Sequence, residues 1–144
     1  MNKEFVPYEQ AVALKDLGFD EPCFGRYYYK ESYPMLNPNS GDTELVFEFG
    51  QYVKQTEVTI LAPLFQQAFR WFREKYELHS HIYPDLSWNI SGGVWDLDGY
   101  VDSRYDWDSE LFKTFEEAEL ACLSKLIQIV KENIKYESNT RIQS

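Results

Sequence analysis

In PLFQQAFRWFREKYELHSHIY, residues 63–83, the spacing of apolar side chains changes from helical to strand-like within one short stretch. Leu64, Phe65, Ala68, Phe69, Phe72 and Tyr76 fall on one broad face, the mark of an amphipathic helix. Pro63 suits the opening position, where a missing N–H costs nothing, so the spacing predicts a helix over residues 63–76. Arg70, Arg73, Glu74 and Lys75 mostly point away from the apolar face, and Trp71 lies at its edge. Burying Phe65, Phe69 and Phe72 is worth about 1.5–3 kcal/mol each. From Leu78 the period drops to two. Leu78–Tyr83 reads as a strand, Pro84-Asp85 as a turn, and Leu86–Ser91 as the next strand. A strong helix running straight into strands points to the α+β class.

Two further helices flank this stretch. Pro7–Leu17 carries Ala11, Leu14 and Leu17 near helical spacing, and Gly18 stands where a left-handed cap is wanted, with Phe19 placed to fold back over it. The other begins at Thr114, where TFEE matches a capping box: the hydroxyl accepts from the Glu117 amide and the Glu117 carboxylate reaches back. Glu116, Glu117 and Glu119 meet the positive end of that helix dipole, and Lys125, Lys131 and Lys135 complement its later half. Its apolar set, Ala118, Cys122, Leu123, Leu126, Ile127, Val130 and Ile134, carries it to about Lys135. The last residues, ESNTRIQS, have no pattern and are expected to fray.

Between the helices lie strand signals. Tyr27–Lys30 is one; Leu45, Phe47 and Phe49, alternating with Glu44, Val46 and Glu48 and ending near Gly50, form another. Residues 31–42, dense in turn formers, are expected to join these two as an irregular hairpin loop, and Tyr52–Thr59 reads equally as strand or loop. Gly92-Gly93 and Asp98-Gly99 are turn signals, the second suited to a tight hairpin between Val94 and Val101. The expectation is a single α+β domain over residues 1–136, with about three helices packed on one face of a mainly antiparallel sheet, and a frayed tail at 137–144.

Composition narrows the function classes. The chain has 144 residues with 14 basic and 24 acidic side chains, a net charge of −10, and 17% aromatics. A chain of this length buries a sizeable core without a disulfide or metal, and its ring content argues against an acidic disordered segment. The acidic balance argues against direct nucleic-acid binding, which needs basic groups to displace counterions. MNKEFVPYEQ lacks an apolar signal-peptide core, and no run approaches the ~18 apolar residues of a membrane helix, so a cytoplasmic protein without a membrane partner is expected. Cys23 and Cys122 show no zinc-ligand spacing and read as buried free thiols; no cofactor or metal is indicated.

The charge is concentrated. Residues 85–119 hold ten acids against Arg104 and Lys113, which is 2 − 10 = −8, and the same window carries Trp88, Trp95, Tyr100, Tyr105 and Trp107. A calcium loop aligned on Gly99 places Asp96 and Asp98 correctly but puts Val94 and Tyr105 at the two anchoring positions, so the ligand set fails. Three readings stay open: mimicry of nucleic-acid phosphates by the carboxylates, a ligand or sugar platform of Trp and Tyr rings, and plain alternation with rings toward the core and acids toward water. His79 and His81 share a strand face and could ligate a metal with Asp85, but two imidazoles are too few and the chain has no third histidine. Arg70 and Arg73 are candidate partners for an anionic ligand, with a solvated helix face as the ordinary alternative. No nucleophile elbow, P-loop or dinucleotide glycine pattern is present, which makes an enzyme the weaker class.

Three blocks, MNKEFVPYEQAVALKDLGFDEPCFG at 1–25, APLFQQAFRWFREKY at 62–76 and TFEEAELACLSKLIQIVKE at 114–132, together resemble a family of small uncharacterised proteins of bacteriophages and prophage-like mobile elements. The blocks coincide with the three expected helices. The resemblance implies an accessory intracellular role in phage–host interaction; it carries over no activity, cofactor or site residue. The leading expectation is a non-enzymatic interaction protein whose helices form a scaffold and whose binding surface comprises Trp88, Trp95, Asp96, Asp98, Tyr100, Asp102, Asp106 and Trp107. Its partner is then a protein, with a homodimer open on the base rate of two-fold pairs. The alternatives are a small-ligand binder with a ring-lined pocket and Arg70 or Arg73 as anion partner, and the acidic nucleic-acid mimic.

Overall fold

The computed structural model describes residues 2–29, 43–47, 60–84, 90–96, 99–100 and 112–143. The chain is α+β: helices α1 (Tyr8–Asp16), α2 (Phe65–Tyr76) and α3 (Phe115–Gln143), and strands β1 (Gly25–Tyr29), β2 (Thr43–Phe47), β3 (Ile60–Ala62), β4 (His79–Pro84), β5 (Ile90–Asp96) and β6 (Gly99–Tyr100). Every pairing among the described strands is antiparallel, and they form two three-stranded sheets, in the orders β2-β1-β3 and β4-β5-β6. The chain divides into two compact units, Met1–Phe65 and Gln66–Ser144.

In the first unit, α1 begins one residue later than expected. Pro7 is its extended N-cap, and the Pro7 carbonyl accepts the Ala11 amide at 2.9 Å. The helix closes as the glycine predicts: Gly18 has φ 96°, its N–H donates to the Lys15 carbonyl at 3.0 Å, and the Phe19 N–H donates to the Leu14 carbonyl at 2.9 Å. This pair of bonds is the Schellman closure, and both Phe19 and Leu14 are buried beneath it.

Strand β1 is the centre of the first sheet, with Tyr27 opposite Leu45 on one side and Ile60 on the other. Tyr29 faces Thr43 across the β1–β2 pair, so these strands are joined through residues 30–42, which themselves lie outside the described residues, as do residues 48–59. Strand β3 has no counterpart in the sequence reading. Leu61 and Ala62 are buried at consecutive positions, so the strand shows no alternation. It pairs with β1 along one edge, and α1 packs on it.

The N-terminal segment is tied to the end of β3. Phe5 bridges Leu64, and the Val6 N–H donates to the Pro63 carbonyl at 2.8 Å. Pro63 is therefore buried and engaged before the helix starts, which is why α2 opens at Phe65 rather than at the proline. The Tyr27 hydroxyl donates to the Val6 carbonyl at 2.8 Å, and its ring meets Tyr8 edge-to-face at 5.3 Å. Burial pushes this phenol up to about 12. Gly25 lies under the Phe5 ring: a Cβ there would sit 2.7 and 2.8 Å from two ring carbons and 2.9 Å from the Ala62 carbonyl oxygen.

Helix α2 buries Phe65, Ala68, Phe69 and Phe72 as its periodicity requires. Trp71 is also buried rather than marginal, meeting Phe72 and Tyr76 edge-to-face at 5.1 and 5.4 Å with the Lys75 ammonium 4.9 Å above it. The helix ends at Glu77, whose φ of 56° turns the chain so that the Leu78 N–H reaches the Phe72 carbonyl at 3.3 Å.

In the second unit α3 packs on β5 and β4. Its start is the expected box, with one shift: the Glu117 N–H donates to Thr114 Oγ1 at 3.2 Å, while Glu117 Oε2 accepts from the Lys113 amide, one residue ahead of the cap. Ala118, Cys122, Leu123, Leu126, Ile127, Ile129 and Val130 are buried, whereas Ile134 is 47% exposed. Residues 137–143 continue the helix where the sequence reading expects a fraying tail. No glycine or proline interrupts them, so a formed helix propagates through them. No helix of the described residues is long and apolar enough to cross a membrane.

Candidate functional site

The ring-bearing segment that the sequence singles out enters the β4–β5–β6 sheet. Strand β5 reads ISGGVWD and pairs with the whole of β4, from His79 opposite Trp95 to Pro84 opposite Ile90. Gly92 and Gly93, which the sequence suggests as a turn, lie inside β5 opposite Ile82 and His81. Glycine is tolerated there because ladder hydrogen bonds on a paired strand do not need a side chain, although it weakens the strand locally. The second turn signal closes a hairpin as expected. Asp96 pairs with Gly99 and Trp95 with Tyr100, so residues 97–98 connect the strands.

This register makes a row. His79 is the Cα partner of Trp95, and Trp95 that of Tyr100, placing the three residues directly across successive strands. Two residues along β4, His81 stacks on Tyr83 with ring centroids 5.4 Å apart and planes 13° from parallel. His79 and His81 are half-buried and Tyr83 is 40% exposed, so this edge of the row meets solvent.

Of the eight residues expected to form the binding surface, Trp95, Asp96 and Tyr100 fall on described backbone, and the register brings Trp95 beside Tyr100 and Asp96 beside Gly99. Trp88, Asp98, Asp102, Asp106 and Trp107 lie outside the described residues, as do Asp85 and, in the rejected calcium alignment, Leu97 and the positions from 101 to Tyr105. Sequence reasoning did not connect His79, His81 and Tyr83 with the Trp95–Tyr100 pair. The signal was the alternation of His79, His81 and Tyr83 along one strand, but only the register shows which strand they meet.

Beneath the sheet, α3 supplies a buried thiol. Cys122 Sγ donates to the His81 carbonyl at 3.9 Å. Burial, reinforced by the neighbouring Glu119 carboxylate, pushes the thiol up to about 12. Cys122 is fully buried, and a buried thiol held from ionisation is a poor nucleophile. Cys23 is likewise a buried free thiol, donating to the Glu21 carbonyl at 3.2 Å. Among the described residues no group of three or more His, Cys, Asp and Glu side chains is placed to hold a metal ion.

The alternative anion site divides. Arg70 and Arg73 stand exposed on α2, and Arg70 Nε lies 3.9 Å from Glu74 one turn along. The rings of the same helix, Phe65, Phe69, Trp71 and Phe72, are buried, so guanidinium groups and these rings do not line one site. Comparison of the chain with protein families, with curated proteins and with solved structures finds no match in any of the three.

Proposed function

We propose that the chain is a non-enzymatic interaction protein that docks a protein partner on the β4–β6 sheet, with Trp95 and Tyr100 as anchors, Asp96 at their side, and His79, His81 and Tyr83 extending the contact. The observation that carries this reading is the backbone register, in which His79 is the Cα partner of Trp95 and Trp95 that of Tyr100, on a sheet whose first strand also carries the exposed Tyr83. Large rigid rings are the side chains that most often dominate protein interfaces. In this reading the net negative charge of the flanking sequence makes partner binding salt-dependent. On the three-block resemblance, the chain is an accessory intracellular protein of a phage or prophage-like element, and the partner is a host protein.

The test compares wild-type protein with Trp95→Ala/Tyr100→Ala for capture of proteins from a bacterial lysate, with circular dichroism confirming that both are folded. The expected outcome is one specifically captured partner that the double variant binds at least about 30-fold more weakly, the effect of losing an anchor worth ~2 kcal/mol. Equal capture by a folded double variant overturns the reading. Sedimentation of the wild-type chain alone separates a second copy from a foreign partner.

A further inference from the structure

No further inference is drawn: the strongest candidate, the face of the β4–β6 sheet that aligns His79, Trp95 and Tyr100 beside the stacked His81 and Tyr83, belongs to the site already described, and nothing in the structure shows what else covers it.

Discussion

Replacing Gly25 with alanine adds one methyl group where the strand lies directly under the Phe5 ring. The new Cβ would lie 2.7 and 2.8 Å from Cε1 and Cδ1 of Phe5 and 2.9 Å from the Ala62 carbonyl oxygen. Carbon pairs settle at about 3.5–4.0 Å, so the ring would have to retreat by roughly 1 Å. It has little room, being only 3% exposed, and Ala62 is held as the direct strand partner of Gly25. Overpacking of this kind costs about 1–3 kcal/mol. Against it stands a gain of roughly 0.5–1 kcal/mol from replacing a strand glycine by alanine. The expected net effect is a destabilisation of about 1–2 kcal/mol, read as a lower urea midpoint at unchanged slope. A double-mutant cycle isolates the ring. Phe5→Ala alone costs about 3–5 kcal/mol, but in that background Gly25→Ala should lose most of its penalty, because only the Ala62 oxygen still opposes the methyl. A neutral or stabilising Gly25→Ala, or one whose cost is the same with and without the Phe5 ring, would refute the reasoning.

The other expectations concern helix ends and a buried thiol. Glu77→Gly should raise stability by about 0.5–1 kcal/mol in urea unfolding, since Glu77 holds a φ of 56° that glycine adopts freely. Thr114→Ala removes the oxygen that accepts the Glu117 amide and should cost about 1 kcal/mol, with Thr114→Ser restoring most of it. Cys122 should resist thiol reagents at mildly alkaline pH until denaturant is added, as measured in a Cys23→Ser background; ready labelling of the folded chain would contradict its burial. Because the folded thiol titrates near 12 and its ordinary value is 9.0, the unfolded chain loses the proton first. Its contribution to stability is therefore complete below about pH 9 and falls as pH rises toward 12, and Cys122→Ala should flatten that part of the stability profile.

The helices were legible because each carries an apolar period, and the first and third carry an end signal as well. Gly18 with Phe19 predicts a closure that forms bond for bond, and TFEE predicts the cap of α3. Where burial ceases to follow one face, the reading failed. Strand β3 is invisible because Leu61 and Ala62 are buried at consecutive positions and show no alternation, and Trp71 is buried from a position at the edge of the apolar stripe. The Gly92-Gly93 pair misled for a related reason: glycine signals a turn only when the chain reverses, and here pairing with β4 keeps it extended. For the candidate site, residue types were readable and neighbours were not. Rings in the acidic segment stood out in composition, yet joining Trp95 to His79 required knowing the register, which no local pattern encodes.

The ties between Phe5 and Leu64, Val6 and Pro63, and Tyr27 and Val6 have a consequence for synthesis on the ribosome. Residues 5 and 6 emerge long before 63 and 64, so β1 can pair with β2 while the N-terminal segment still lacks its seat. The N-terminal unit then locks only when the turn into α2 is extruded, a late closure over a long stretch of chain. Any fusion that pins the first residues to a bulky neighbour would delay that step more than it would weaken the finished fold.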